Sequence, residues 1–165
     1  MLSSGRRFFL GRFLVGFPQR NHGLDLDRIG RQAFGVATTG SQSVGRAAQT
    51  DFALFSRAVE GLDGGVVLSV GSAIMAPQVF EKSLSCVNNL RLQAGRKIVQ
   101  GHNIYVVDLQ DGGNWDWTKG EPPRESPAYY LRFCKSYSRM GGAMRYLQCD
   151  NAAFIHNLYH ELTRA

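Results

Sequence analysis

The chain has 165 residues, enough for one domain, and 44% hydrophobic with 19% charged residues is the composition of a packed globular protein. Nineteen Lys and Arg against thirteen Asp and Glu leave a formal charge of +6, but no Lys/Arg run of the nucleic-acid-binding kind exists, so no nucleic-acid partner is expected. No apolar run approaches the ~20 residues that span a bilayer, so no membrane partner is expected, and three irregularly spaced cysteines, Cys86, Cys134 and Cys149, suit a reducing compartment such as the cytoplasm.

Residues 1–24 hold Arg6, Arg7, Arg12 and Arg20 and no acid. Arg alternates there with Phe and Leu, the composition of an organelle-targeting segment and equally of a plain basic extension. Residues 25–49 are rich in Gly, Ser and Thr and have weak periodicity, which predicts loop with one short helix. Residues 1–49 therefore read as a basic, poorly ordered extension, and 50–165 as the folded domain.

From Thr50 the pattern sharpens. Thr50 or Asp51 can cap a helix that carries Phe52, Phe55, Val59 and Leu62 at helical spacing. Asp63-Gly64-Gly65 ends it. Val66 to Val70 is a short β-branched run, as in a buried parallel strand. Pro77 suits the first turn of a following helix, whose apolar side is Phe80, Leu84, Val87 and Leu90. A second strand is predicted at Ile104–Leu109, a long polar and aromatic loop over Gln110–Pro127, and a helix within Ala128–Ser138. A third strand follows at Met144–Cys149. Asp150 or Asn151 caps a last helix, with Phe154, Ile155, Leu158, Tyr159 and Leu162 expected to face the core. Strands alternating with helices predict an α/β fold: a partial Rossmann-like parallel sheet flanked by helices.

Ligands of open parallel sheets bind beyond the carboxyl ends of the strands. The loop Gly71-Ser72-Ala73 lies at such an end, where free amides of a helix N-terminus favour phosphate; a plain strand-to-helix turn has the same sequence. Asp108, at the end of the next strand, suits ribose hydroxyls or a cation. Asp111 and Asp116 follow in the loop. Trp115 and Trp117 suit stacking on a base or an amine, or simple packing onto the domain. His156 and His160 have chelating spacing, but too few further ligands accompany them, and no metal is expected. Lys135 is a nucleophile if burial lowers its pKa, and otherwise a surface charge.

Three blocks carry a family resemblance: Gly64 to Pro77 with Val79-Phe80-Glu81-Lys82 and Asn88-Asn89, then Tyr105 to Gln110 with its acidic Gly-rich loop, then Tyr146 to Ala152. Together, from Gly64 to Leu162, the chain resembles the C-terminal half of the deoxyhypusine synthase-like family, in a branch with a Gly-Ser-Ala loop. The resemblance implies a Rossmann-like NAD-binding fold in homotetramers, where NAD takes hydride from spermidine and a lysine carries the butylamine group. It implies Gly71, Ser72, Ala73 and Asp150 at the cofactor, Asp111 or Asp116 at the amine, and Lys135 as the catalytic lysine. The chain departs from the pattern in three places. The Trp-Gly before the lysine is missing, Gln78 stands near the place of a substrate His pair, and the N-terminal half of the fold is missing or replaced by residues 1–49.

Three functional readings follow. One is an NAD-dependent, aminoalkyl-transferase-like enzyme. The second is a non-catalytic module binding a nucleotide or small molecule. The third is a truncated subunit that works in a homo-oligomer or with a partner, since a half-sheet leaves an edge to cover.

Overall fold

The computed structural model describes residues 13–16 and 42–164. The targeting character expected of residues 1–24, and most of the loop expected before residue 50, lie outside these residues. Helix α1 runs over Gln42–Glu60, so Thr50 is in mid-helix and caps nothing. Its hydroxyl donates back to the Arg46 carbonyl at 2.9 Å, the local bond Thr makes inside helices. A short strand, β1 (Phe13–Gly16), also lies in the stretch expected as extension.

Strand β2 (Val66–Val70) is followed by helix α2 (Met75–Gln93), strand β3 (Asn103–Asp108), helix α3 (Arg132–Ser138), strand β4 (Ala143–Gln148) and helix α4 (Asn151–Thr163). The sheet order is β1-β2-β3-β4. β2, β3 and β4 are parallel, with Val67 opposite Ile104 and Ile104 opposite Met144. β1 runs antiparallel beside β2, Phe13 opposite Ser69, so the sheet is mixed and not purely parallel as expected.

Successive strands step in one direction across the sheet, and right-handed crossovers put α2 and α3 on one face. Val67 and Ser69, Ile104 and Val106, and Met144 point to that face and are buried. Phe80 of α2 and Tyr137 of α3 fill the layer, with ring centroids 6.1 Å apart. α1 packs beside α2, where Arg91 joins their carboxyl ends. Its guanidinium donates to the Glu60 and Lys97 carbonyls and to both oxygens of Asp63, the closer at 2.7 Å.

The other face is covered only in part. α4 packs on β3, and the neighbouring ends of the strands, Val70 and Val107, are buried. Val66, Leu68, Tyr105, Arg145 and Leu147 on the same face are exposed or half-buried. α4 itself buries no residue. Phe154 and Leu158 are half-covered, but Ile155, Tyr159 and Leu162 are 45%, 63% and 49% exposed, contrary to the expectation that all five face the core. A 13-residue helix shows one stripe to its sheet; these three residues form a second stripe on an adjacent side.

The predicted helix within Ala128–Ser138 is two pieces: a 3-10 turn over Pro127–Tyr130, then α3, separated at Leu131. No helix among the described residues is long and apolar enough to cross a membrane.

Candidate functional site

The carboxyl ends of the three parallel strands bring Gly71-Ser72-Ala73, Asp108 and Asp150 to one end of the sheet. Gly71 has φ +65°, a left-handed conformation suited to glycine. Its amide donates to the Val107 carbonyl at 3.0 Å, tying the loop to β3. The space where a Cβ would stand is taken by Asn151: Nδ2 would lie 2.5 Å away. The close approach that Gly71 permits is therefore to the first residue of α4.

Ser72 acts as a local cap. Its hydroxyl accepts from the Ala76 amide at 3.2 Å. Pro77 has no N–H to satisfy, and no earlier helical carbonyl serves the amides of Ile74 and Met75. An anion at this loop would be held by those two amides and the helix dipole, not by the Ser72 hydroxyl. Ile74 and Met75 are also 69% and 64% exposed, and Leu109 at the end of β3 is 62% exposed. Large apolar side chains thus flank the polar loop.

Asp108 is half-buried. Oδ1 accepts from the amides of Leu109 at 2.6 Å and Gln110 at 3.3 Å, which orients the carboxylate and leaves Oδ2 as an acceptor. Tyr146 of β4 pins the same turn by donating to the Gln110 carbonyl at 2.5 Å. The Tyr146 ring lies against Gly112, where a Cβ would come within 2.5 Å of it. Burial, reinforced by the Asp108 carboxylate, pushes the Tyr146 phenol above its usual range. Asp150 is exposed and caps α4, Oδ1 accepting from the Ala153 amide at 2.9 Å.

The long loop is tied down by its own residues. Asp111 accepts from the Gly113 amide at 2.9 Å. Asp116 accepts from both the hydroxyl and the amide of Thr118, and these bonds hold its carboxyl below the usual range. Trp117 is 4% exposed and belongs to the core; Trp115 packs against the core and donates its indole N–H to the Gly120 carbonyl at 3.0 Å. Trp117 is thus a packing residue, and Trp115 remains partly exposed.

Lys135 is held by this loop. Its ammonium lies 2.9 Å from Glu121 Oε1 and 3.1 Å from the centre of the Tyr129 ring. Among the described residues its partners are Glu121 and Tyr129, not the Gly71 loop. Neither Glu121 nor Tyr129 stands out in sequence, because an acid and a tyrosine in a polar loop carry no spacing signal; Asn151 as the neighbour of Gly71 is equally silent.

His156 and His160 stand side by side, centroids 4.3 Å apart, and no group of three or more His, Cys, Asp or Glu able to hold a metal occurs among the described residues. A hollow lined by Asp63, Arg91, Arg96, Lys97, Ile98 and Gln100 lies at the opposite, amino-terminal end of the strands. Two helix carboxyl ends meet there, and Arg91 and Arg96 are paired with Asp63 and Glu60. No family model, curated protein or solved structure matches this chain.

Proposed function

We propose that this chain is a deoxyhypusine synthase-like protein that binds NAD, or a related nucleotide, at the carboxyl end of its parallel strands. The observation that carries the reading is the meeting of Gly71 with Asn151 beside Asp108. The last helix returns across β3 and brings Asn151 to the end of β2, and the carboxyl ends of parallel strands are where ligands of open α/β sheets sit. The residues fit a dinucleotide. The amides of Ile74 and Met75 suit a pyrophosphate, Asp108 Oδ2 a ribose hydroxyl, and the exposed Ile74, Met75 and Leu109 an aromatic ring. Bound NAD would supply a hydride acceptor. The part played by this chain would be to hold the phosphates and ribose, with Lys135 as the group that meets an amine substrate.

A second reading, a non-catalytic binding module, is favoured by one observation. The Lys135 ammonium is engaged by Glu121 and Tyr129. The open part of the sheet, around Leu68, Tyr105 and Leu147, supports a homo-oligomer or partner subunit in either reading, since parallel sheets are generally covered on both faces. A cytoplasmic location, or an organelle reached through residues 1–24, belongs to the same proposal.

Titration with NADH, followed by nicotinamide fluorescence, tests the site. Saturable enhancement that is weakened in Asp108→Asn supports it. A flat response into the millimolar range contradicts it. Transfer of an alkylamine group that survives Lys135→Ala would contradict the enzymatic reading alone.

A further inference from the structure

We propose that His156 and His160 are half of a tetrahedral site for a divalent transition metal of the zinc class, and that the same pair on a second copy of the chain completes it. The inference is independent of the nucleotide reading.

His156 and His160 are one turn apart on α4, a spacing that brings both rings to one side of a helix. Their centroids are 4.3 Å apart and the rings stand edge to face. Small rotations about the side-chain bonds let one nitrogen of each reach a common ion at about 2.0–2.1 Å. Both residues are exposed. Their contacts among the described residues are with each other and with the Tyr159 ring, so no hydrogen bond or ion pair there competes for the ring nitrogens. Imidazole is a common ligand of zinc, copper and nickel. Magnesium and calcium seek oxygen and gain nothing from this pair.

Two ligands do not close the site. A structural zinc takes four, and no third His, Cys, Asp or Glu among the described residues joins the pair. The expectation of no metal counts the ligands of one chain. A two-fold axis beside the pair doubles them, because such an interface presents the same patch from both copies. An ion on that axis meets four imidazoles. The surface next to the pair suits the contact. Ile155, Tyr159 and Leu162 form an apolar stripe on the neighbouring side of α4 and are 45%, 63% and 49% exposed, whereas Phe154 and Leu158 are half-covered. Drawing two α4 helices together around the ion takes this stripe out of water. The stripe alone names no partner. The His pairs do, since four imidazoles in two identical pairs require two identical helices.

The test is sedimentation of the full chain, stripped of metal, over a series of chain concentrations with and without zinc chloride. Zinc should strengthen the dimer at least about tenfold, saturate at one ion for two chains, and be reversed by EDTA. Magnesium chloride should do nothing. His156→Ala and His160→Ala should each lose the zinc effect. Both positions are exposed, so the core is untouched, and circular dichroism checks that the variants fold. The partly exposed thiols of Cys86 and Cys149 also take zinc, and the His variants separate the two sources. A dimer constant unchanged by zinc, saturation at one ion per chain without association, or a zinc effect retained in both His variants would overturn the proposal.

Discussion

Asn151 stands where the side chain of residue 71 would be. A Cβ on Gly71 would meet Asn151 Nδ2 at 2.5 Å and Cγ at 3.2 Å. Gly71→Ala therefore has two costs. The left-handed backbone at φ +65° disfavours any Cβ by about 1–2 kcal/mol, and the contact with Asn151 adds to it. Asn151→Gly in the same chain should recover the contact part and leave the backbone part. Urea unfolding of the two single variants and the double variant measures this. Equal losses in Gly71→Ala and in the double variant would mean that the Asn151 contact carries no strain.

Arg91 is 5% exposed and binds both oxygens of Asp63 as well as the Glu60 and Lys97 carbonyls. Burial works to raise the Asp63 pKa, but the Arg91 hydrogen bond and the Gln100 amide outweigh it and hold the carboxyl low. Asp63 is half exposed, so the pair is worth less than a fully buried one. Arg91→Ala should destabilise the chain by about 2–3 kcal/mol, mainly by stranding those acceptors. A loss within error in urea unfolding would show that water replaces the guanidinium freely.

His102 gives the fold a pH dependence. It is 1% exposed and packed edge-on to Phe80, and the Met140 backbone and the Asp63 charge only partly offset its burial. Burial pushes its pKa below the usual value. The unfolded chain takes up the proton at about pH 6.5, while the folded chain resists it. The stabilising contribution is therefore complete above about pH 6.5 and declines as pH falls toward the folded-state value. The urea midpoint should be flat in mildly alkaline buffer and fall as the pH drops below about 6.5, and His102→Leu should flatten that slope. A slope unchanged in the variant would assign it to other groups.

Much of the fold is legible in the sequence because burial writes it there. Val66–Val70 is wholly apolar but for Ser69, and its β-branched residues have little other use. Phe80, Leu84 and Val87 repeat at the helical period and are buried as a stripe. The start of α1 is hidden because Gln42 to Gln49 has no apolar periodicity; the helix there extends from a packed second half. β1 is four residues inside an Arg-rich stretch, too short to carry a period. In α4 the sequence gives apolar residues on two sides, and periodicity alone does not tell which side meets the sheet. The site follows the same division. The ends of β2, β3 and β4 are set by the strands, but the pairing of Gly71 with Asn151 and of Lys135 with Glu121 comes from distant parts of the chain.

The central claim is that a nucleotide binds at the carboxyl end of the strands, and amide chemical-shift mapping during NAD titration tests it most directly. The account predicts saturable shifts at Ile74, Met75, Leu109, Gln110 and Asn151. The hollow at Asp63, Arg96 and Gln100 should be undisturbed. Shifts confined to that hollow, or none with NAD in the millimolar range, would contradict it.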